Sequence, residues 1–418
     1  MPFFLFPVYT IHMIKLKSGT LSQIGAKHIQ NDDTAVVNAK EGVYIICDGV
    51  SEGGQGKLAS ALISQVIQEK LVQANQDFKT KSSDLAGTKR LQAMQEVMQN
   101  TFADAQSALK AQAENNPLYK VAATTCIALW FNGRFAILGH IGDSRAYLFR
   151  AGKLYQLTKD HSGLDELLKM GMPMETAMRS PLAHALTRAF GNAQFNQPDL
   201  LKIEFEPNDS LFLCTDGIYT ALSTPQTMTA FVHDLINEIP LKPWVEKCAK
   251  TSGDDSTLIH IHFEEEEHTL VGIQASERIH LVQKTPLSRY FDYVQASHIA
   301  AICEIESFKA GETVIKEGDD GDRMYIVAKG GLTIQSNGKF LTENKPGDFF
   351  GEIALVQKSK RTATALAKED TSLLSLKRSD LEEVFKKDPL IETRFYKAML
   401  ETALSRVVEL GVQVVGMK

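Results

Sequence analysis

Apolar residues at Leu58, Leu62, Ile63, Val66, Ile67 and Leu71 recur every three or four positions, and so do Leu91, Met94, Met98, Phe102, Ala105 and Leu109. That spacing places each set on one face of a helix and predicts two amphipathic helices whose stripes cover a sheet. The runs Val43 to Cys47, Ala123 to Phe131, Arg134 to His140, Ala146 to Phe149, Ser210 to Thr215 and Thr257 to Phe263 are short and mostly apolar, which predicts strands. Asn132-Gly133 between two of them is a hairpin signal. Strands joined by hairpins, with helices inserted in pairs, predict an α+β fold of antiparallel sheets covered by helices rather than a parallel βαβ sheet.

The pattern breaks at Glu264-Glu265-Glu266-Glu267-His268, where a β-like run dissolves into like charges. Beyond about Pro286 an apolar helical segment leads into short strands separated by Gly-Asp, Asp-Gly and Asn-Gly turns. The expected organisation is a first domain over 13–264, a linker over 265–285 and a second domain over 286–418. A length of 418 residues agrees with two or three domains at about 150 residues each.

Composition removes several classes of function. With 45 basic and 51 acidic residues, the net charge of -6 provides no broad positive field for a nucleic-acid backbone. The apolar opening MPFFLFPVYTIHMI contains two prolines and falls short of the roughly 20 residues that span a bilayer. It also lacks a basic n-region and a cleavage site, so a soluble cytoplasmic protein is expected. Residues 1–12 read either as a start-codon misassignment, with Met13 the true first residue, or as a structured arm. Cys47, Cys126, Cys214, Cys248 and Cys303 are widely spaced and odd in number, which suggests reduced core residues rather than disulfides or a zinc site.

Candidate chemistry lies in aspartates at strand ends: Asp32-Asp33, Asp48-Gly49, Asp143, Asp216-Gly217 and Asp254-Asp255. Hard divalent cations take oxygen ligands, and carboxylates at strand ends converge readily at one sheet edge. Any single Asp-Gly is ordinary turn chemistry, but five such places in one domain strain that reading. Cys47, beside Asp48, has no basic partner and reads as a buried strand residue rather than a nucleophile. His140 and His161 read as structural, holding turns by hydrogen bonds.

Seven ordered segments carry a resemblance: Gly25 to Asp33, Cys47 to Gly54, Thr124-Thr125, Gly139 to Tyr147, Leu157 to Ser162, Leu213 to Ile218 and Gly253 to Thr257. Over about residues 20–263 the chain resembles the metal-dependent protein phosphatases of type 2C. The resemblance implies an αββα sandwich, two Mn²⁺ or Mg²⁺ ions at one edge, and hydrolysis of phosphoserine or phosphothreonine in a phosphoprotein substrate. It implies Asp48 as the bridging carboxylate and the Gly49 carbonyl as a ligand, with Asp216 and Asp254 on the other ion and Asp143 on a third, weaker one. It implies too that Asp33, with Asp32 before it, orders metal-bound waters. Two such ions would lower the pKa of a bridging water and absorb charge developing on phosphorus.

Three departures stand out. Lys27, or His28 with the gap placed differently, replaces the family's phosphate-binding arginine, and lysine lacks the bidentate fork. Val50 stands where some members carry a histidine that acts as general acid, and Ser51-Glu52 lengthens the loop that follows Asp48.

In the second half, Pro346 to Leu355 with Arg361-Thr362-Ala363 six residues on combines a Gly-led turn opening a short helix, a glutamate and an arginine. Backbone N–H groups and a guanidinium suit an anion, and a glutamate suits a ribose hydroxyl. Residues 286–410 resemble the cyclic-nucleotide-binding domain of kinase regulatory subunits and catabolite-activator proteins, a β-roll with flanking helices. The resemblance gives Glu352 the ribose 2′-hydroxyl, Arg361 the cyclic phosphate, Gly351 and Ala354 backbone contacts, and the helical tail from Leu381 to about Val408 the role of lid. Thr362 offers a hydroxyl that could meet a syn guanine, which leaves cAMP and cGMP both open. The expected whole is a metal-dependent Ser/Thr phosphatase regulated by cyclic nucleotide. The alternative is a weakly catalytic pseudophosphatase scaffold that senses or docks.

Overall fold

The computed structural model describes residues 15–50, 54–81, 88–133, 135–183, 185–191, 197–264, 275–356 and 360–416. Residues 1–12, Ser51-Glu52 and the acidic run beyond Glu264 lie outside them. The chain divides into two compact units, Met1–His268 and Thr269–Lys418.

The first unit begins with β1 (Lys15–Gln23), β2 (Thr34–Asn38), β3 (Val43–Cys47) and β4 (Gly49–Val50), followed by α1 (Gly56–Lys81) and α2 (Thr88–Asn115). It continues with β5 (Ala123–Thr124), β6 (Cys126–Asn132), β7 (Phe135–Ile141), β8 (Arg145–Arg150), β9 (Lys153–Gln156), α3 (Gly163–Lys169) and α4 (Met174–Met178). Last come β10 (Asp199–Glu204), β11 (Ser210–Cys214), α5 (Asp216–Tyr219), α6 (Pro225–Ile236), α7 (Lys242–Ser252) and β12 (Ser256–Glu264). One sheet has the order β1-β12-β11-β8-β9 and the other β10-β7-β6-β3-β2, with every neighbouring pair antiparallel.

The expected helical stripes are core. Ile63, Ile67 and Leu71 of α1 and Met94, Met98 and Phe102 of α2 are buried against Val43, Ile45 and Trp130 of the second sheet. Full burial of one such side chain stabilises by about 1.5–3 kcal/mol, far more than helix propensity supplies to an exposed face. On the first sheet, Phe231, Leu235, Val245 and Cys248 of α6 and α7 cover Phe212, Cys214 and Leu258. Between the sheets Phe263 stacks on Phe205 with ring centroids 4.1 Å apart and meets Phe131 at 5.6 Å. The layers are therefore helix, sheet, sheet, helix. The β6–β7 hairpin turns at Asn132-Gly133, with Asn132 opposite Phe135.

The second unit comprises α8 (Ala275–Lys284), α9 (Tyr293–Ile302), β13 (Glu304–Phe308), β14 (Thr313–Ile315), β15 (Arg323–Lys329), β16 (Leu332–Ser336) and β17 (Lys339–Asn344). After them come β18 (Phe349–Phe350), α10 (Ile353–Val356), β19 (Thr364–Ala367), β20 (Thr371–Lys377), α11 (Arg378–Lys387) and α12 (Pro389–Gly416). Two four-stranded sheets, β13-β20-β15-β18 and β14-β19-β16-β17, form the expected β-roll. Two expectations change here. The segment 265–285 was expected as linker, but its C-terminal half is α8, whose Ile279, Leu281 and Val282 join the core with Ile299, Met324 and Phe395. The helical tail, expected from Leu381 to about Val408, is α11 and α12, which together run from Arg378 to Gly416 and are broken at Asp388-Pro389, because proline has no N–H to continue a ladder and is at home in a helix's first turn.

Candidate functional site

The expected aspartates come together at one edge of the first unit. Asp33 precedes β2, Asp48 follows β3, Asp143 lies in the β7–β8 turn, Asp216 opens α5 directly after β11, and Asp254 precedes β12. The charges of Asp33, Asp216, Asp143 and Asp254 all act on Asp48. Burial, reinforced by those four neighbours, holds the Asp48 carboxyl well above the ordinary carboxylate range. Burial first, then Asp255 and Asp216, push Asp33 up to about 7 against the hydrogen bonds of Thr257 and Thr215. Asp143 is pushed up to about 7 by burial and by Asp216 and Asp160, and Asp216 to about 6 by burial and by Asp254.

Backbone contacts fix this edge. The Asp48 carbonyl accepts the Thr125 N–H at 2.9 Å and the Thr124 hydroxyl at 2.8 Å, and the Asp48 N–H donates to Thr125 Oγ1 at 3.1 Å. Thr215 Oγ1 donates to Asp33 Oδ2 at 2.9 Å, while Asp33 Oδ1 is buried without a hydrogen-bond partner among the described residues. Asp33 therefore faces inward. Asp32 turns the other way, its Oδ1 accepting from Gln30 Nε2 at 2.7 Å. Gly49 pairs with Thr124 in the small β4–β5 ladder.

The structure also separates the two cationic candidates. His28 has both nitrogens engaged, Nδ1 with Asp255 Oδ2 at 3.1 Å and Nε2 with Asp254 Oδ1 at 3.5 Å. Lys27 Nζ donates to the Ser252 carbonyl at 3.2 Å, which uses one of its three N–H donors.

Several residues have contacts here that the sequence reading assigned to none of them, or assigned only in outline. Asp255 is 3% exposed and accepts from the backbone N–H groups of Gly25 at 2.8 Å and Asp32 at 2.7 Å, so it pins the segment that carries Asp33. Lys57 donates to the Asp33 carbonyl at 2.5 Å and to Thr34 Oγ1 at 3.2 Å. Arg145 forks onto Asp160, with 2.7 Å from Nη2 to Oδ2, and lies 3.7 Å from the Tyr219 ring centroid. His161 does hold a turn: its Nδ1 accepts the Gly142 N–H at 3.0 Å. His140 departs from expectation, since neither of its ring nitrogens has a hydrogen-bond partner among the described residues. The Ser144 backbone approaches it outside hydrogen-bond geometry, and burial holds its pKa down at about 3, so it packs as a neutral ring.

Within the second unit, Arg361 is 8% exposed and makes no ion pair among the described residues; its Nη1 donates to the Gly351 carbonyl at 3.3 Å. Burial lowers its pKa from the usual guanidinium value. Its backbone is clamped by Asp319 and Gly318 at 2.7 and 2.9 Å. Glu352 is half-buried just before α10, Ala354 lies within α10, and Thr362 is exposed beside Arg361.

The donor set at the aspartate edge is all oxygen, and among the described residues no cationic side chain forms an ion pair with Asp33, Asp48, Asp143 or Asp216. Clustered carboxylates of that kind need protons or cations, and oxygen-only donors fit hard divalent ions.

Comparison with known proteins gives a family model of Protein phosphatase 2C over residues 21–247 and one of Cyclic nucleotide-binding domain over residues 305–388. The Serine/threonine phosphatase stp of Listeria monocytogenes serotype 4b is 27% identical over 195 residues, covering 46% of this chain and 73% of that protein. A cGMP-dependent protein kinase of Toxoplasma gondii is 25% identical over 245 residues, 54% of this chain, and the chain spans 25% of that kinase's length. Among solved structures, the serine/threonine phosphatase PstP/Ppp of Mycobacterium tuberculosis aligns with 26% identity and a TM-score of 0.49, covering 60% of this chain and 99% of that one.

Proposed function

The chain belongs to the protein phosphatase 2C family, and from that premise we propose that its first unit hydrolyses phosphoserine and phosphothreonine in proteins under control of a cyclic nucleotide bound by the second. The observation that carries the first half is the gathering of Asp33, Asp143, Asp216 and Asp254 around Asp48, with the buried Asp33 Oδ1 lacking a partner among the described residues.

In this reading Asp48, the Gly49 carbonyl, Asp216 and Asp254 hold two Mn²⁺ or Mg²⁺ ions, and Asp143 holds a third. When bound, the ions supply a water of lowered pKa and positive charge against the phosphoryl group. The remaining work falls to the chain. Asp33, fixed through Oδ2 by Thr215, keeps Oδ1 as an acceptor that orients the attacking water. Asp32 and Asp255 hold that segment in register. Lys27, with two ammonium donors uncommitted among the described residues, meets the substrate phosphate, whereas the nitrogens of His28 already face carboxylates. Val50 carries no proton to give, so the leaving oxygen takes its proton from another donor.

For the second half, the support is a buried guanidinium with no carboxylate partner among the described residues. A buried charge is costly unless paired, and a cyclic phosphate between Arg361 and the α10 turn would pair it. Glu352 then takes the ribose hydroxyl.

The test is Mn²⁺-dependent hydrolysis of a phosphothreonine peptide by the full chain, with and without cAMP and cGMP, beside Asp216→Asn. We expect turnover that depends on Mn²⁺ and falls by at least about 100-fold in the variant, since a lost carboxylate loosens the ion and weakens activation of the water. Near-wild-type turnover by Asp216→Asn in saturating Mn²⁺ would overturn the assignment.

A further inference from the structure

We propose that His161 is a positioning residue: by accepting the Gly142 N–H it fixes the turn that presents Asp143, an inference that rests on reading Asp143 as an ion ligand. The β7–β8 turn needs a device of this kind. Gly142 has φ +108°, in the region glycine enters easily and other residues rarely do, and a Cβ there would lie 2.5 Å from Thr125 Cβ. A glycine hinge next to a ligand is soft unless gripped from outside.

His161 grips Gly142 on both sides. Its ring Nδ1 accepts the Gly142 N–H at 3.0 Å, and its own backbone N–H donates to the Gly142 carbonyl at 2.8 Å. With Nδ1 an acceptor, the ring proton is on Nε2, which donates to Asp199 Oδ2 at 3.0 Å. Arg188 holds the far side of that carboxylate, with Nη1 2.8 Å from Oδ1. The ring is buried and tilted against His140, with centroids 4.6 Å apart.

His140, His161 and Asp199 bring ligand atoms within 4.8 Å of one another, a spacing that a cation could also occupy. The protons argue otherwise. A neutral histidine that ligates through Nε2 must carry its proton on Nδ1, where the Gly142 N–H already points. The group is thus a hydrogen-bonded chain, Arg188 to Asp199 to His161 to Gly142, ending one residue short of Asp143. On the other side of Asp143, Ser144 Oγ is 2.8 Å from Thr125 Oγ1, so both flanks of the aspartate are tied.

Amide side chains divide the two ring functions. In His161→Asn the Oδ1 takes the place of Nδ1 and can accept from Gly142; in His161→Gln the amide reaches the Nε2 position and can serve only Asp199. The probe is Mn²⁺ itself, with bound ion counted from the electron paramagnetic resonance of the free ion. Hydrolysis of p-nitrophenyl phosphate is followed alongside as separate kcat and half-saturating Mn²⁺. We expect His161→Gln to reproduce Asp143→Asn, losing the weakest class of bound Mn²⁺ and raising half-saturating Mn²⁺ about tenfold, while His161→Asn stays within about twofold of wild type. If Asp143→Asn shows the loss and His161→Gln does not, or if His161→Asn falls as far as the Gln variant, the positioning role is overturned. If Asp143→Asn itself binds Mn²⁺ as wild type does, the ion-ligand reading of Asp143 fails and the proposal fails with it. Should the Gln variant not fold, His161→Asn decides by itself: a full complement of Mn²⁺ upholds the Nδ1 acceptor, and a missing ion overturns it.

Discussion

At the residue scale the aspartates set an unusual pH dependence. Asp33 and Asp143 are pushed up to about 7 and Asp216 to about 6 in the folded chain, against about 3.9 for an unfolded aspartate. The folded state therefore binds more protons than the unfolded state from about pH 4 to 7. Stability is fully present below that window and is lost as pH rises through it. Chain stripped of metal by chelator should melt about 5 °C or more higher at pH 5 than at pH 8, and saturating Mn²⁺ should restore the loss at pH 8. A melting temperature that rises with pH in the stripped protein would show that these carboxyls do not share one edge. The gathering of aspartates was legible because acidic residues recur at five strand ends of one domain, although each place alone is ordinary turn chemistry. The orientation of neighbours was not. Asp254 and Asp255 are identical letters, yet one is half-exposed at the rim and the other is buried on three donors. Lys57 and Asp199 lie in no motif, and their roles exist only once β2, β7 and β10 have been brought beside other segments.

The elements meet with little clearance. A Cβ built at Gly25 would lie 2.4 Å from the Asp254 carbonyl carbon, so a side chain there would push the segment after β1 away from the residue that begins the β12 strand end. Gly25→Ala should cost about 1–3 kcal/mol of stability, read from denaturant unfolding, and should weaken Mn²⁺ binding at the same time. A variant as stable as wild type would show that the two segments can separate without consequence. The long elements were legible for a physical reason: α1 and α2 hold their stripes over many turns, and β3 and β11 are continuous apolar runs. The short helices α3 and α4 carry too few turns for a stripe to show. In α8 the apolar Ile279, Leu281 and Val282 sit among charged neighbours just beyond an acidic run, so a core helix read as connecting chain.

For the molecule as a whole, each unit has cores of its own, which predicts that the two functions can be separated and then shown to be coupled. A fragment ending at Glu264 should hydrolyse the phosphothreonine peptide and ignore cyclic nucleotide. The full chain should respond to nucleotide by roughly five- to 150-fold in activity or affinity, the range of ordinary allosteric coupling. Arg361→Ala should weaken nucleotide binding by about 2–5 kcal/mol, measured by calorimetry, and abolish the response. Equal activity of fragment and full chain, indifferent to cAMP and cGMP, would reduce the second unit to a docking module. The pairing of the first unit's opening and closing strands also bears on how the protein is made. Thr20 bonds to Leu258, 238 residues away, and β1 lies along β12 over its whole length. At about 5–20 residues per second on the ribosome, β1 waits roughly 12 to 48 s for its partner. Asp254 is missing for nearly all of that interval, and from the moment β11 is made its edge stays uncovered, so a nascent chain should be open to chaperones and unable to retain metal until β12 emerges.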